Sequence, residues 1–342
     1  MSVEAAQSTA GHDTLQAALA DAEQRHRRLR WRRRIPLLPG LLFLIVVTQL
    51  PFVVTIVISF MRWNTLKPNA TRFGTLQNYV TIITDERMRA AMLNTVVLVV
   101  SAVGAALIIG TCLALLLNRK FRGRGIVRTL LITPFLIMPM AAALMWKHLI
   151  YNPVYGLLNG TLTAIGDLFG VQAPQPDWVS GAPMLSIIVA LVWTWTPFMM
   201  LITLAGLQSQ DLDVKEAAEV DGAGAFQTFF YITLPHLRRY LELAIVLGII
   251  YLLNTYDQVF TITSGGPGSE TTNLPYEIYL VAFQKHDYGE AAAAGVLVVI
   301  ISTIIANFGL RLLTSIADAA PVAKKRKKAP KSAEEAGEEV AK

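Results

Sequence analysis

The sequence predicts an all-α integral membrane protein with six transmembrane helices, and three observations indicate this fold class. Of its 342 residues, 54% are hydrophobic and only 16% are charged, whereas soluble domains carry about 25% charged residues. Apolar runs long enough to cross a bilayer core as helices recur along the chain. Basic residues cluster beside these runs, as they do at the cytoplasmic flanks of membrane helices.

Six apolar runs with few charges are predicted as the transmembrane helices. They lie at 36–60, 91–117, 126–150, 183–206, 239–262 and 289–314. The first run follows a polar, basic segment that is much longer than the charged region of a signal peptide, so we expect it to be retained. Together the six helices form a predicted transmembrane domain over 36–315, flanked by tails at 1–35 and 316–342. The C-terminal tail lacks apolar periodicity and is predicted to be disordered.

The distribution of lysine and arginine predicts the orientation of these helices. The segment 151–182 contains neither residue and is expected to face outward, whereas arginines crowd the N-terminal tail directly before the first helix. Those arginines are Arg25, Arg27, Arg28, Arg30, Arg32, Arg33 and Arg34. The loop 61–90 fits less well, because it carries five basic residues on its predicted outer side. Both tails and the loop 207–238 are therefore predicted to be cytoplasmic.

Charge and composition exclude several other classes of function. The net charge is +6, but basic residues beside apolar runs indicate membrane lipid as the partner and not nucleic acid. The single cysteine, Cys112, excludes an internal disulfide bond, and we interpret it as a small buried side chain. The five histidines have no ligand spacing, so no metal site is predicted. No nucleophile motif such as GxSxG occurs, and no catalytic residue is predicted.

A polar insert interrupts the apolar pattern between the fourth and fifth runs. It reads EAAEVDGAGAFQTFFYITLP, from Glu216 to Pro235. Aspartates before it suit the start of a helix, and Asp221-Gly222 predicts a turn with a left-handed glycine. A second short helix is predicted from about Ala225 to Tyr231, and Pro235 is expected to close the segment. Small residues leave one surface open to close approach by a partner protein, and phenylalanines can anchor the other side to the membrane helices. An ordinary helical hairpin is the alternative.

The insert resembles the EAA motif of the membrane (permease) subunits of binding-protein-dependent ABC importers. The resemblance covers about residues 35–315 and is closest to the carbohydrate permeases of the maltose and glycerol-phosphate systems. The stretch TSGGPGSETTNLPYEIYLVAF at 263–283 resembles the outer-loop signature of the first of the two different permeases in such systems. The residues that carry the likeness in the insert are Glu216, Ala217, Ala218, Gly222, Ile232, Leu234 and Pro235.

This resemblance implies the architecture of a type I ABC importer permease and a division of labour among subunits. Two nucleotide-binding ATPase subunits would bind ATP and Mg, a second, different permease would complete the conduit, and an extracytoplasmic solute-binding protein would deliver the cargo. This chain would lie in the bacterial cytoplasmic (inner) membrane, would be no enzyme and would hold no cofactor. The lack of a GxxxxGKS or GxxxxGKT sequence agrees with that. The residues implied in coupling to the ATPase are Glu216, Ala217, Ala218, Asp221, Gly222, Ala223, Ile232, Leu234 and Pro235.

Polar and aromatic side chains at membrane depth are predicted to line the transport pathway, since they are costly when they face lipid. Aromatic faces beside hydroxyl or amide groups suit sugar rings. The candidates are Trp193, Thr194 and Trp195, then Tyr251, Asn254 and Asp257, and finally Phe135. The resemblance implies sugar contact at all of these except Trp193 and Asp257. The alternative is that the tryptophans belong to an interfacial belt, that the threonine bonds to its own helix and that the aspartate ends a helix.

An ion-coupled secondary transporter of a small polar solute is the alternative function. Such a protein would be expected to carry several intramembrane carboxylates or broken helices in repeated halves, and the sequence shows neither clearly. A membrane-bound enzyme or scaffold would need a catalytic constellation or an extramembrane domain. The sequence therefore predicts a permease subunit of an ATP-driven importer that carries a sugar or a sugar alcohol into the cytoplasm.

Overall fold

A computed structural model of the chain describes Pro36 and residues 38–319. The predicted tail at 1–35 lies outside the described residues, as does the tail at 316–342 after its first four residues, which are helical. The fold is helical, in agreement with the predicted class, and the described residues contain a single short pair of strands. Contacts group the chain into two compact units.

The first unit comprises the residues up to Thr84 together with Ile278–Leu297. Its elements are α1 (Leu38–Ser59), β1 (Met61–Arg62), a 3-10 turn (Pro68–Ala70), β2 (Arg72–Phe73), α2 (Gln77–Thr84) and the start of the last helix. The two strands are antiparallel, with Met61 opposite Phe73. The predicted outer loop 61–90 is thus largely ordered secondary structure.

Carboxylates from a distant segment lie beside the basic residues of this loop. Arg62 and Lys67 line a polar cavity of about 150 Å³ together with Asp287 and Glu290. The Asn64 side chain donates a hydrogen bond of 3.3 Å to the Asp287 carboxylate at the same place. Two of the five basic residues of this loop thus have carboxylates close by, and the orientation of 61–90 stays a prediction.

The second unit comprises Asp85–Glu277 and the residues from Val298 onward. Its helices are α3 (Glu86–Asn118), α4 (Arg124–Leu136), α5 (Pro139–Met145), α6 (Leu157–Phe169), α7 (Trp178–Gly181), α8 (Pro183–Gln208), α9 (Leu212–Val220), α10 (Ala225–Thr228) and α11 (Leu234–Leu252). Two further helices, α12 (Leu274–Tyr279) and α13 (Tyr288–Ala319), contribute residues to both units. π-helical turns occupy Trp146–Ile150, Phe229–Thr233, Val259–Thr263 and Leu280–Gln284.

The segment between α5 and α8, predicted to face outward, is folded by local hydrogen bonds. Asp177 caps α7 by accepting from the backbone amides of Val179 and Ser180 at 3.1 Å each. The Ser180 hydroxyl also donates to the Asp177 carboxylate at 2.6 Å. These hydrogen bonds hold the pKa of Asp177 below its ordinary value, and the bond from the Ser180 side chain has the largest effect.

Helix α8 is the centre of the second unit, because α3, α4 and α11 all pack against it. The buried side chains at this contact are Ala114, Leu117, Met200, Leu204, Leu207 and Leu237. The backbones of α3 and α8 come close at Gly110, where an added Cβ would lie 2.8 Å from the Met200 nitrogen. Glycine at this position is what permits the close approach.

Gly110→Ala is therefore expected to destabilise the packing of α3 on α8. The new methyl group would meet backbone atoms that cannot rotate away, and overpacking of this kind costs about 1–3 kcal/mol. Thermal unfolding of the detergent-solubilised protein measures this as a lower midpoint. Gly104→Ala on the same helix is the matched control, because nothing lies within 4 Å of a Cβ there. Equal midpoints for the two variants would contradict the close approach of these helices.

Four helices among the described residues are long and apolar enough to cross a membrane: Leu38–Ser59, Glu86–Asn118, Pro183–Gln208 and Tyr288–Ile305. They match four predicted spans to within a few residues at most ends. The predicted span at 126–150 is instead Arg124–Leu136 followed by Pro139–Ile150, with a bend of 99° between them. Proline lacks an amide hydrogen and disfavours helical backbone at the residue before it, and Met138 indeed has an extended ψ of 133°.

The remaining predicted span, 239–262, is shorter than the apolar run suggested. Helix α11 has 19 residues and ends at Leu252, and the chain turns before the π-helical turn that follows. Its first nine residues include Arg238, Arg239 and Glu242, and Arg238 and Glu242 form an ion pair of 2.7 Å. By length and composition the described chain thus has four spanning helices, or five with the bent pair, and the count of six stays a prediction.

Candidate functional site

The polar insert folds around a helix that ends in a glycine turn. We call residues 211–235 the coupling segment. Asp211 caps α9 by accepting from the Asp213 amide at 3.1 Å. At the other end, the Ala223 amide donates to the Ala218 oxygen at 2.9 Å and the Gly222 amide to the Glu219 oxygen at 3.1 Å. This is the Schellman pattern, which requires a left-handed residue.

The predicted conformation of Gly222 is confirmed, because its φ is +82°. A Cβ at this position would meet nothing within 4 Å in this chain. Glu216, Ala217 and Asp221 are exposed along with it, while Ala218 is buried and Ala223 is half-buried. The exposed residues of the motif therefore form an accessible surface of small side chains, with a carboxylate at each end.

The prediction that the second short helix ends near Tyr231 and that Pro235 closes the segment is wrong. Helix α10 passes into a π-helical turn and then directly into α11, which contains Pro235 in its first turn. Proline is tolerated there because the wider π turn that precedes it relieves the steric conflict between its ring and the preceding turn. Ile232 and Leu234 are half-buried within this run. The coupling segment is thus continuous with a helix of the second unit.

The phenylalanines of the coupling segment are less buried than predicted. Phe226 is 80% exposed and Phe230 is 51% exposed, and their rings stack on each other at 6.0 Å. With Phe229 they line a cavity of about 580 Å³ at the C-terminal end of α3, where Cys112 and Arg119 form part of the opposite wall. Cys112 is exposed, so the interpretation of it as a buried side chain is wrong as well.

Three of the predicted pathway residues come together in one aromatic cluster. The Trp195 ring stacks on Tyr251 at 5.4 Å and meets Phe135 edge-on at 5.7 Å. Phe198 completes the cluster, at 5.6 Å from Phe135 and 5.7 Å from Trp195. Sequence reasoning missed Phe198, although its spacing of three from Trp195 places both on the same face of α8. We call Phe135, Trp195, Phe198 and Tyr251 the aromatic cluster.

Two other predicted pathway residues donate to a backbone oxygen four residues earlier in the chain. Thr194 is buried, and its hydroxyl donates to the Ala190 oxygen at 3.0 Å. Asn254 is exposed three residues beyond Tyr251, and its amide donates to the Ile250 oxygen at 2.9 Å. Asp257 is half-buried in the segment after α11.

Trp193 belongs to a different set of rings from Trp195. It meets Trp146 edge-on at 5.8 Å, and Trp146 in turn lies 5.2 Å from Tyr151. Residues two apart on an α-helix point about 200° away from each other. Trp193 and Trp195 therefore cannot share one face of α8. Their spacing in the sequence was enough to predict this.

The signature stretch that begins at Thr263 is tied to the start of α3 by buried polar groups. The Asn94 amide donates to two backbone oxygens of the loop, at 3.2 and 3.0 Å. The Thr95 hydroxyl accepts from a loop amide at 2.8 Å. Asn273 is completely buried and donates to the Thr255 oxygen, just beyond α11. These bonds fix the chain that follows the aromatic cluster.

Comparison with known proteins places this arrangement in a family. The model of the family described as "Binding-protein-dependent transport system inner membrane component" matches residues 102–316. A probable ABC transporter permease protein of Sinorhizobium fredii, y4oQ, is 36% identical over 274 residues, which cover 78% of this chain and 86% of that protein. The trehalose/maltose transport system permease protein MalF of Thermococcus litoralis is 33% identical over 275 residues, covering 80% and 89%.

A solved structure has the same fold. One chain of a bacterial alginate ABC transporter, crystallised in complex with an alginate pentasaccharide-bound periplasmic protein, matches with a TM-score of 0.69 at 21% identity. The match covers 84% of this chain and 95% of that one. Since the family model covers well over half of the sequence and the relatives exceed 30% identity over more than two thirds of it, the chain belongs to the family of inner membrane components of binding-protein-dependent transport systems.

Proposed function

We propose that this protein is the permease subunit of an ATP-driven ABC importer that carries a sugar or a sugar alcohol from an extracytoplasmic binding protein into the cytoplasm. The family assignment favours this over an ion-coupled secondary transporter. The cargo class is supported by the names of similar proteins, one a trehalose/maltose permease and another part of an alginate transporter. Within the chain, the aromatic cluster is the observation that supports a carbohydrate cargo.

The aromatic cluster offers the chemistry that a carbohydrate requires. Sugar rings have apolar faces and hydroxyl rims, so they bind where aromatic surface lies beside a few polar groups. Tyr251 is 55% exposed and stacks on Trp195, and the exposed Asn254 amide lies about one turn further along. A ring seated on Tyr251 would present its hydroxyl rim to that amide. We therefore propose that Trp195, Tyr251 and Asn254 line the transport pathway.

The coupling segment would pass the movement of the ATPase to this cluster. Two ATPase subunits would bind ATP and Mg, so the chain needs no cofactor of its own, and a second, different permease would form the other half of the conduit. An uninterrupted helical run extends from Ala225 through the π turn to Leu252, and it carries Tyr251 near its end. Displacing the exposed turn at Gly222 would therefore move the run that bears the sugar platform. Both tails and the coupling segment are proposed to face the cytoplasm of the bacterial cell.

Uptake into proteoliposomes tests this function. The full chain would be reconstituted with its partner permease, the ATPase pair and the binding protein, and supplied with a panel of radiolabelled disaccharides and sugar alcohols. We expect uptake of at least one of them to need both ATP and the binding protein and to survive ionophores that collapse ion gradients. Vesicles without the ATPase pair are the control. Uptake that continues without ATP but stops with the ionophore would support a secondary transporter instead.

A further inference from the structure

Hydrogen bonds between side chains join the two ends of the coupling segment. Ser209 follows α8, and its Oγ lies 2.7 Å from the Tyr240 hydroxyl of α11, although the two residues are 31 positions apart. The Nε2 atom of His236, also on α11, lies 3.1 Å from Ser209 Oγ and 3.1 Å from the Gly206 oxygen. We call Ser209, His236 and Tyr240 the base network, because they close the coupling segment where it leaves and rejoins the helices.

The donors and acceptors of the base network fit together. A carbonyl oxygen can only accept, so His236 Nε2 carries a hydrogen and donates it to the Gly206 oxygen. The Ser209 hydroxyl also donates to this oxygen, at 2.9 Å. Because Ser209 has then used its one hydrogen, its Oγ accepts from the Tyr240 hydroxyl. The network therefore ends on a carbonyl in the last turn of α8, where carbonyls need partners from outside the regular helical pattern.

Close packing fixes the position of Tyr240 in this network. A Cβ at Gly206 would lie 2.7 Å from the Tyr240 ring and 2.8 Å from Leu237 Cδ2, so glycine lets α11 lie directly against α8. Leu237 is completely buried. The Arg239 guanidinium lies 4.9 Å from the centroid of the Tyr240 ring and donates to its hydroxyl at 3.3 Å. The Tyr240 hydroxyl is thus held in place to donate to Ser209.

The base network connects the two helices that carry the aromatic cluster's stacked pair. Trp195 lies on α8 and Tyr251 lies on α11, and their rings stack at 5.4 Å. The two helices are therefore joined at two separate places along their length, once at these rings and once at the end of the coupling segment. Two separate contacts oppose the tilting or sliding of one helix alone. A displacement of the Gly222 turn would then reach both helices together.

The base network lies where its loss should cost little stability. Ser209 is exposed, and His236 and Tyr240 are half-buried. Water can replace a lost hydrogen bond at such a place, so no buried polar group is left without a partner. The apolar contact at Leu237 would also remain. A role in positioning the helices during transport can therefore be separated by experiment from a role in holding the fold.

We propose that the base network makes the coupling segment, α8 and α11 move as one body, so that little of the movement of the ATPase is lost at their junction. Ser209, His236 and Tyr240 are then positioning residues, which contact neither ATP nor cargo. The inference rests on the proposed function, because it requires an ATPase that acts on the Gly222 turn. The quantity that reports it is the number of ATP molecules hydrolysed for each molecule of cargo taken up.

Tyr240→Phe tests the network with a small change. It removes the hydroxyl that donates to Ser209 and keeps the ring that packs on Gly206. Proteoliposomes would contain the full transporter, Mg-ATP and the labelled disaccharide or sugar alcohol that the wild-type complex takes up. We expect the ratio of ATP to cargo to rise several-fold, with half-saturation for cargo and the unfolding midpoint little changed. Tyr155→Phe is the matched control, because it removes the hydroxyl of an exposed tyrosine between α5 and α8.

Further substitutions separate hydrogen bonding from size. His236→Gln keeps a nitrogen donor of similar reach and should retain most of the coupling, whereas His236→Leu should lose it. Ser209→Ala removes the same hydrogen bond as Tyr240→Phe, so the double variant should be no worse than Ser209→Ala alone. Additive losses in the double variant would contradict a shared network.

A covalent link tests the movement of the junction directly. In a Cys112→Ser background, which removes the exposed native thiol, Ser209→Cys and His236→Cys would be joined by a short bismethanethiosulfonate linker. We expect the link to restore the coupling that the unlinked double variant lacks. Uptake that stops on linking would show that the junction must open, and would overturn the proposal. A wild-type ratio of ATP to cargo in Tyr240→Phe, whether or not its unfolding midpoint falls, would overturn it as well. A wild-type complex without ATP-dependent uptake would instead contradict the proposed function.

Discussion

Gly222→Val is expected to abolish coupled uptake while leaving the membrane helices folded. Gly222 has a φ of +82° in the Schellman turn that ends α9, and a β-branched residue in that conformation is a steric outlier. Holding it there costs about 1–3 kcal/mol, or roughly five- to 150-fold in the population of the competent turn. The added methyl groups would also project from an exposed surface where the ATPase is proposed to approach. We therefore expect the rate of uptake to fall by at least this factor.

Matched variants separate strain from bulk at this turn. Gly224 is exposed two residues away, but its φ is −68° and a Cβ there meets only the Gln227 side chain at 4.0 Å. Gly224→Val should therefore carry the same bulk without backbone strain. Gly222→Asn should recover part of the loss, because asparagine tolerates the left-handed conformation. Glu216→Ala removes an exposed carboxylate but keeps the helix, so its loss should be smaller than that of Gly222→Val.

Transport and ATP hydrolysis must be measured on the same vesicles. We expect Gly222→Val either to shed the ATPase subunits or to retain them with hydrolysis uncoupled from uptake. Membrane insertion should be normal, since no apolar run is altered. If Gly222→Val transports at the wild-type rate with its ATPase retained, the coupling segment is not the joint between the two subunits.

Local chemistry made the coupling segment predictable from sequence. Asp211 before a helix and Gly222 after one are capping residues whose partners lie within a few positions, so the pattern fixes the geometry. Pro235 misled the prediction because proline stops a regular α-helix, whereas a π turn directly before it lets the helical run continue. Whether a π turn forms just before the proline depends on packing, which the sequence does not display.

The aromatic cluster was only partly predictable, for a related reason. The sequence shows directly that Trp195 and Tyr251 are aromatic residues with a polar group and that they lie within apolar runs. That they stack on each other depends on how α8 packs against α11, a contact between residues more than fifty positions apart. The separation of Trp193 from Trp195, by contrast, follows from helix geometry alone. The helix bounds within two predicted spans differ from the prediction where prolines and charges interrupt apolar runs, at 126–150 and at the start of α11.

The second large effect is expected at the aromatic cluster. Trp195→Ala removes the ring that contacts Phe135, Phe198 and Tyr251, and each such aromatic pair contributes about 0.5–1.5 kcal/mol beyond its buried area. Without it, Tyr251 loses the support that orients its face toward the cargo. We expect the cargo concentration for half-maximal uptake to rise by more than about tenfold, while basal ATP hydrolysis persists because the coupling segment is untouched. Trp195→Phe keeps an aromatic face and should restore much of the affinity.

Trp193→Ala is the matched control, because it removes the same side chain two positions away on the same helix. Trp193 is half-buried and meets Trp146 edge-on, so its loss should lower the thermal unfolding midpoint of the complex without changing half-saturation for cargo. The two tryptophans thus give opposite patterns, one in affinity and one in stability, if α8 presents one face to the pathway and the other to lipid. Equal effects of the two substitutions on half-saturation would show that the cluster around Trp195 has no special access to the cargo. The pathway would then have to be sought on another face of α8.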